Sequence, residues 1–330
     1  MFLTPELDFL GKLEHEIMEG NGRWIADFSE SFRNVRVKGK AFDMFIRGST
    51  RGRSGYFFSA LLSKTMLPAY AASCFVRVVN REKPLSMEEL ENCLEVIHKY
   101  VRDSEAKWSL LLLVFSVKPP EWIKQKVLNL NDNVVGVAMV DLQTMETFND
   151  QSFIGRAANR LIPKKWKYRG PESRELPELS PVLEGRNLNK LALIFGASLA
   201  AFTVLSFIIA GLTTGSFMIS RLSLIFNLIV SIFITIAYSR GRYHNRLEIK
   251  DREIIVKLGR SPPASLRFSD YDLISLVSTG PGSFAVRMYS SSDHSEYVDI
   301  PVSSVKADAS IFRWTAMAKS NHGLNRFSTL

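Results

Sequence analysis

The chain has 330 residues, 23% charged side chains and a formal charge of +9, so its polar parts read as globular and its length allows about two soluble domains. Cys74 and Cys93 each sit in an apolar pattern and read as reduced core residues, which sets aside a disulfide framework. The histidines are isolated from one another and from other ligand types, which sets aside a zinc site. No glycine-rich phosphate loop stands between a strand and a helix, since Thr279 to Ser283 reads as a hairpin turn.

In chain order, Thr4 to Glu19 reads as a helix, with Thr4 as N-cap, Pro5 at the first helical position and Gly20 after its end. Met1 to Glu6 has neither a basic start nor a long apolar run, so no secretory signal is expected and the N-terminal domain is expected in the cytosol. A basic region follows, with Arg33, Arg36, Lys38, Lys40, Arg47, Arg51, Arg53 and Lys64 against the single acid Asp43. Arg47, Arg51 and Arg53 belong to a glycine- and serine-rich stretch whose composition suits nucleic acid. It suits an anionic bilayer equally, at about 1 kcal/mol per basic residue near the surface, and a plain solvated face is the third option.

Cys74 to Val79 reads as a strand. Ser86-Met87-Glu88-Glu89 is a capping box, behind which Leu90, Cys93, Leu94, Ile97 and Val101 repeat at helical spacing. Leu110 to Phe115 and Val134 to Val140 are apolar runs of strand length, separated by a short helix opening at Pro119-Pro120-Glu121. Strand, helix, strand, helix, strand implies an α/β domain whose strands are buried on both faces. Arg156, Arg160, Lys164, Lys165, Lys167 and Arg169, interleaved with Trp166 and Tyr168, suit an amphipathic segment on lipid headgroups, or else the domain's last helix. Pro171 to Gly185, rich in Pro, Glu and Ser, reads as a linker.

From Leu191 to Ser220 no side chain is charged, and after Arg221 the chain is apolar again to Tyr238. A span needs roughly 20 apolar residues, so the stretch predicts a hairpin of two transmembrane helices, near Leu191 to Gly211 and Phe217 to Tyr238, broken at Thr213-Thr214-Gly215-Ser216. Basic residues flank its outer ends, among them Arg186, Lys190, Arg240, Arg242, Arg246 and Lys250, which places both termini in the cytoplasm. Gly196 and Ala200 offer a small-residue surface for close helix packing, Arg221 can snorkel to the headgroups, and Asn227 requires an interhelical partner.

Beyond the hairpin the pattern turns to β. Arg246 to Val256 holds two short strands about a Lys-Asp-Arg turn, Phe284, Val286 and Met288 alternate with polar neighbours, Val298 and Ile300 mark another strand, and Val305 to Met317 closes as a helix. With the phrases Phe268 to Ile274 and Asp299-Ile300-Pro301-Val302, residues Tyr243 to Asn321 resemble bacterial pleckstrin-homology-like domains, which implies a separate, mainly β C-terminal domain. A generic small β-sandwich or barrel fits the same strands.

The order Phe42 to Gly48, a strand leading to Asn80 to Ser86, the capped helix, Leu111 to Ser116 and Pro120-Glu121 resembles the Mrr-like branch of the PD-(D/E)XK nuclease superfamily, over Gly22 to Thr144. The resemblance implies a restriction endonuclease-like fold in which an Asp on one strand and a Glu-x-Lys on the next hold a divalent metal. Asp43 takes the first position, but Arg77 stands where the Glu belongs and Val79 where the Lys belongs. An Arg77–Asp43 ion pair in place of the metal is then expected, and a surviving nuclease would need an acid migrated to Glu82, Glu88 or Glu89, with Lys83 standing in for the lysine.

The domain plan is accordingly 1–170 nuclease-like α/β, 171–188 linker, 189–239 transmembrane hairpin and 240–330 PH-like β domain with a C-terminal helix. The expected function is a membrane-anchored, non-catalytic binding or scaffold protein without cofactor or metal. Its partners are the bilayer and a nucleic acid or protein, or further copies of itself; a magnesium-dependent nuclease is the alternative.

Overall fold

A computed structural model describes residues 4–21, 26–49, 70–104, 106–168, 182–186, 188–214, 221–239, 244–280, 283–305, 308–320 and 328–329. The chain divides into two units: Met1–Leu179 with Phe268–Pro301 and Asp308–Leu330, and Ser180–Arg267 with Val302–Ala307.

The first unit begins with helix α1 (Pro5–Glu16), capped by the Thr4 side chain and followed by a π turn in which Gly20 takes φ +116°. Strands β1 (Asp27–Val37) and β2 (Lys40–Ser49) form a hairpin about Lys38 and Gly39, both at positive φ. Strand β3 (Ala71–Val79), helix α2 (Met87–Asp103), β4 (Ala106–Phe115), helix α3 (Glu121–Asn129) and β5 (Val135–Asp141) then alternate as the hydrophobic pattern predicts. β3, β4 and β5 run parallel, β2 antiparallel to β3, and a short β6 (Thr147–Asn149) closes the edge before helix α4 (Phe153–Leu161).

Helices cover both faces of the sheet. Phe9, Leu10 and Leu13 of α1 join Ala157, Ala158 and Leu161 of α4 on one side, and Leu90, Cys93 and Ile97 of α2 join Ile123 and Val127 of α3 on the other. Cys74 and Cys93 are buried free thiols, and burial pushes both thiol pKa values up, away from reactivity.

The second unit holds strand β7 (Val182–Arg186), helices α5 (Leu188–Thr214) and α6 (Arg221–Ser239), and strands β8 (His244–Ile249), β9 (Glu253–Leu258) and β10 (Ala264–Arg267). The strands form a sheet of order β10-β9-β8-β7. The expectation of two transmembrane spans is corrected here. Within α5, Ala192–Thr213 is long and apolar enough to cross a membrane, with mean hydropathy 2.3, but the apolar part of α6 is only Leu222–Ala237. At 1.5 Å per residue that stretch reaches about 24 Å, short of a bilayer core of about 30 Å.

The helices also meet elsewhere than expected. A side chain at Gly196 would touch nothing within 4 Å, whereas Asn227 Nδ2 donates to Ser206 Oγ at 2.9 Å and to the Phe202 carbonyl at 3.3 Å. The required partner of Asn227 is therefore found, and polar contact rather than a small-residue groove joins the pair. Gly215, Ser216, Arg240 and Arg242 lie outside the described residues.

A second correction concerns residues 240–330, which are not one β domain. β8 to β10 belong to the sheet with β7, while β11 (Tyr271–Gly280), β12 (Ser283–Ser290), β13 (Tyr297–Ile300) and helix α7 (Ala309–Lys319) belong to the first unit. β11 pairs antiparallel with β1 through Glu30↔Val277, Ser31↔Leu276 and Phe32↔Ser275. The result is one ten-stranded sheet of order β13-β12-β11-β1-β2-β3-β4-β5-β6, with β14 (Ser328–Thr329) beside β1. The expected domain boundary at residue 170 thus cuts through a sheet that is completed more than 100 residues later.

A buried ionic cluster fastens these distant segments. Glu14 of α1, fully buried, accepts from Arg313 Nη1 and Nη2 of α7 at 2.6 and 2.7 Å, from Arg33 Nη2 and Nε of β1 at 2.9 and 3.2 Å, and from the Ser31 hydroxyl. Burial alone pushes the Glu14 carboxyl up, but the guanidiniums of Arg313 and Arg33 outweigh it and hold the group well below the usual carboxylate range. A depressed folded-state pKa contributes stability that is fully present above the unfolded value near 4.5 and is lost as pH falls below it.

Replacing Glu14 by Gln strands two buried guanidiniums, so thermal or urea unfolding at pH 7 should show a loss of about 3–5 kcal/mol. The gap to the wild type should narrow below pH 4.5; a variant with wild-type stability and acid sensitivity would contradict the assignment.

Candidate functional site

Asp43, which takes the first position of the nuclease resemblance, lies on β2 opposite an irregular residue of β1. Asn34 takes φ +47°, a left-handed conformation that Asn tolerates, and the flanking pairs Arg33↔Met44 and Val35↔Phe42 set it opposite Asp43. Phe32 and Val35, three residues apart, consequently face the same core, as do Phe42 and Phe45. This slip in alternation turns the Asp43 side chain toward β3 just beyond the last ladder pair, Met44↔Val76. There its Oδ2 accepts the Val78 backbone N–H at 2.7 Å, replacing a ladder hydrogen bond, while its Oδ1 accepts Lys83 Nζ at 2.9 Å.

Asp43 is therefore paired, but not with Arg77. Arg77 Nη1 donates to the Ala41 carbonyl at 3.1 Å and Nη2 to Glu89 of the capping box, which also receives Lys40 Nζ at 3.4 Å. The expected Arg77–Asp43 pair is corrected on this ground: the α2 N-terminus brings Glu89 to Arg77, and the turn after β3 brings Lys83 to Asp43. Asn80 shapes that turn, its Oδ1 accepting the N–H groups of Glu82 at 3.1 Å and Lys83 at 2.8 Å. Val79, at the expected lysine position, is buried in the core and offers no polar group.

Asp43 opens onto a cavity of about 620 Å³ at the carboxyl ends of the parallel strands β3, β4 and β5, where Asn80, Ser116 and Gln143 follow them. This is the edge at which ligands bind in open α/β sheets. Thr4 to Leu7 at the start of α1, Arg33 and Trp314 complete the wall. Sequence reasoning counted Arg33 only among the basic residues of a possible phosphate-binding surface and missed Trp314. The nearest signal was Arg313, which sits within the otherwise apolar buried face of α7, whereas Arg33 lies among the buried polar residues Glu30 and Ser31 of β1.

The metal implied by the nuclease resemblance does not fit these residues. Asp43 already has each oxygen engaged, an arginine stands at the second acidic position, and among the described residues no three His, Cys, Asp or Glu side chains come together. Of the three glutamates considered as migrated acids, Glu82 borders the cavity, Glu88 is exposed on α2, and Glu89 is engaged by Arg77 and Lys40.

The expected phosphate or lipid contacts are dispersed. Arg47 donates to Glu30 at 2.7 Å and to the Tyr289 hydroxyl at 2.8 Å, within a network that Ser275 completes. Burial first, then Glu30, pushes the Tyr289 pKa up to about 12, so this hydroxyl stays protonated and joins β1 to β12. Arg51 and Arg53 lie outside the described residues. Lys164, Lys165 and Lys167 are exposed on a turn after α4 rather than on an amphipathic helix. The intervening Trp166 is buried against Phe9, with its Nε1 donating to Asp8 at 2.8 Å.

Comparison with family models, curated proteins and solved structures finds no match to this chain.

Asp43→Ala leaves the Val78 N–H without its acceptor and should cost about 1–3 kcal/mol in unfolding free energy. Lys83→Met removes a half-exposed ammonium and should cost about 1 kcal/mol or less. Urea melts of both variants check the order; a costlier Lys83 variant would show that the ion pair, not the backbone hydrogen bond, holds Asp43.

Proposed function

We propose that this protein is a membrane-anchored, non-catalytic binding protein whose α/β unit is a restriction endonuclease-like domain with its acid position closed by ion pairs. The observation that carries this reading is the pairing of Asp43 with Val78 N–H and Lys83 while Arg77 is held by Glu89. A magnesium site needs clustered oxygen ligands, and Arg77 adds positive charge where the second carboxylate would stand. The cavity beside Asp43 is of a size suited to a bound small molecule. The competing reading, a magnesium-dependent nuclease, depends on Glu82, which shares the cavity with Asp43.

The anchor is supported by α5, whose apolar face is exposed along its length and whose composition suits a bilayer. Strands of the first unit come from before α5 and from after α6, which supports placing both flanks on one side of the bilayer. Arg186, Lys190, Arg240, Arg242 and Arg246, flanking the two helices in sequence, support a cytoplasmic location for that side.

Calorimetric titration of the detergent-solubilised full chain with magnesium and manganese should show no binding that Asp43→Ala abolishes; Asp43-dependent micromolar binding would move the nuclease reading to the front. Epitope tags at the two ends should both be digested from the cytoplasmic side in inverted vesicles, and protection of one end alone would overturn the placement.

A further inference from the structure

Helix α4 and the turn after it carry cations without anions. From Gln151 to Tyr168 the chain holds Arg156, Arg160, Lys164, Lys165 and Lys167 but no acidic side chain, and all of these cations are exposed. Elsewhere in the first unit Lys12, Lys38, Lys83 and Lys126 each pair with a carboxylate at 3.2 Å or less. Among the described residues no ion pair engages Lys164, Lys165 or Lys167. The acids of the elements packed around this segment are engaged elsewhere. Asp8 of α1 accepts Trp166 Nε1 at 2.8 Å, Glu16 holds Lys12, and Asp150, fully buried, accepts the N–H groups of Val137 and Ser152. The next acids along the chain, Glu172, Glu175 and Glu178, lie outside the described residues.

The helix sorts its residues by face. Gly155, Ala157, Ala158 and Leu161 are buried, whereas Phe153, Arg156 and Arg160, spaced three and four apart, share the outer stripe. Phe153 keeps 64% of its surface exposed there, beside cations rather than in a core. Beyond the helix, Trp166 is buried against Phe9, which pins the turn and leaves Lys164, Lys165 and Lys167 in water. An exposed aromatic ring among unpaired cations suits a surface that is negative outside and apolar beneath, as an anionic bilayer is. A nucleic acid matches the charge alone. Position in the chain also favours the bilayer, since only the linker separates Tyr168 from α5, which begins at Leu188. Polybasic segments beside a membrane helix are drawn to an anionic leaflet, with about a fivefold gain in binding per basic residue. The tether makes that encounter intramolecular.

We propose that the outer stripe of α4 and the turn after it form a docking surface for the anionic leaflet of a lipid bilayer. Phe153 enters the headgroup layer, and Arg156, Arg160, Lys164, Lys165 and Lys167 pair with lipid phosphates and carboxylates. The proposal rests on reading α5 as a membrane anchor, and the two are read out separately. Resistance of vesicle-bound protein to alkaline carbonate reports the anchor, and the reactivity of the three lysines reports the docking.

The full chain is reconstituted into vesicles of phosphatidylcholine alone, or of phosphatidylcholine mixed with phosphatidylserine, floated, and treated with a membrane-impermeant amine reagent. Mass spectrometry reads labelling at Lys164, Lys165 and Lys167 relative to Lys118, an exposed lysine after β4. With phosphatidylserine present the relative labelling should fall about threefold or more, and about 1 M salt, which shortens the Debye length to about 3 Å, should restore it. The double variant Phe153→Ser/Arg156→Glu alters exposed positions only, so its melting temperature should stay near that of the wild type while its lysines label as in neutral vesicles. Equal labelling in the two kinds of vesicle, or protection that survives the double variant, would overturn the proposal. Protection by an added single-stranded oligonucleotide, with none from phosphatidylserine, would overturn it in favour of a nucleic-acid surface. Carbonate-resistant protein with equal labelling leaves the anchor and removes the docking face. Protein that carbonate strips from vesicles that had shielded the lysines does the reverse, and absence of the protein from both kinds of vesicle overturns both.

Discussion

One carboxylate organises the larger unit of this protein. Glu14 receives donors from Ser31, Arg33 and Arg313, so helix α1, strand β1 and helix α7 meet at a single buried point although Glu14 and Arg313 are separated by nearly the whole chain. A buried ion pair rarely adds net stability over a well-packed apolar cluster of the same volume. What it imposes is a penalty on any arrangement that separates its members. For a sheet whose last strands follow an intervening pair of apolar helices, that penalty favours the pairing of β11 with β1 over a separate C-terminal domain.

The candidate site inherits its shape from this arrangement. With α1 fixed through Glu14, its first turn borders the carboxyl edge of β3 and β4, and Arg33, anchored by the same carboxylate, reaches the cavity wall. The slip at Asn34 and Asp43 turns one acid out of the regular alternation, where the Val78 N–H and Lys83 take it up. The α/β unit thus carries, around Asp43, a closed set of structural contacts next to an open cavity. Binding chemistry is available from the residues around that acid rather than from the acid itself.

Local order was legible in the sequence wherever pattern and capping agreed. The Ser86 capping box and its apolar repeat fixed α2, and the runs at Leu110 and Val134 fixed β4 and β5, because buried parallel strands need near-continuous apolar residues. Strand β1 went unread, since Glu30, Ser31 and Arg33 are buried polar residues whose partners lie far along the chain. The partnership of β11 to β13 with β1 was invisible for the same reason: pairing register is a long-range property that no local period encodes. Arg77 was read as standing where a metal ligand would, and its partner was misassigned because Glu89 and Lys83 reach their positions only through the turn after β3. The helical pair shows the limit of composition, where a continuous apolar stretch holds one helix of spanning length and one shorter.

The central claim is that both ends of the chain build one sheet. Its most direct test is to produce residues 1–179 and 268–330 as two separate polypeptides, alone and together. Together they should co-purify as a complex with a cooperative thermal transition, which Arg313→Ala in the shorter piece weakens, while 1–179 alone should aggregate or melt without cooperativity. A 1–179 fragment that melts cooperatively by itself and ignores the second fragment would contradict the account, and would restore an independent N-terminal domain.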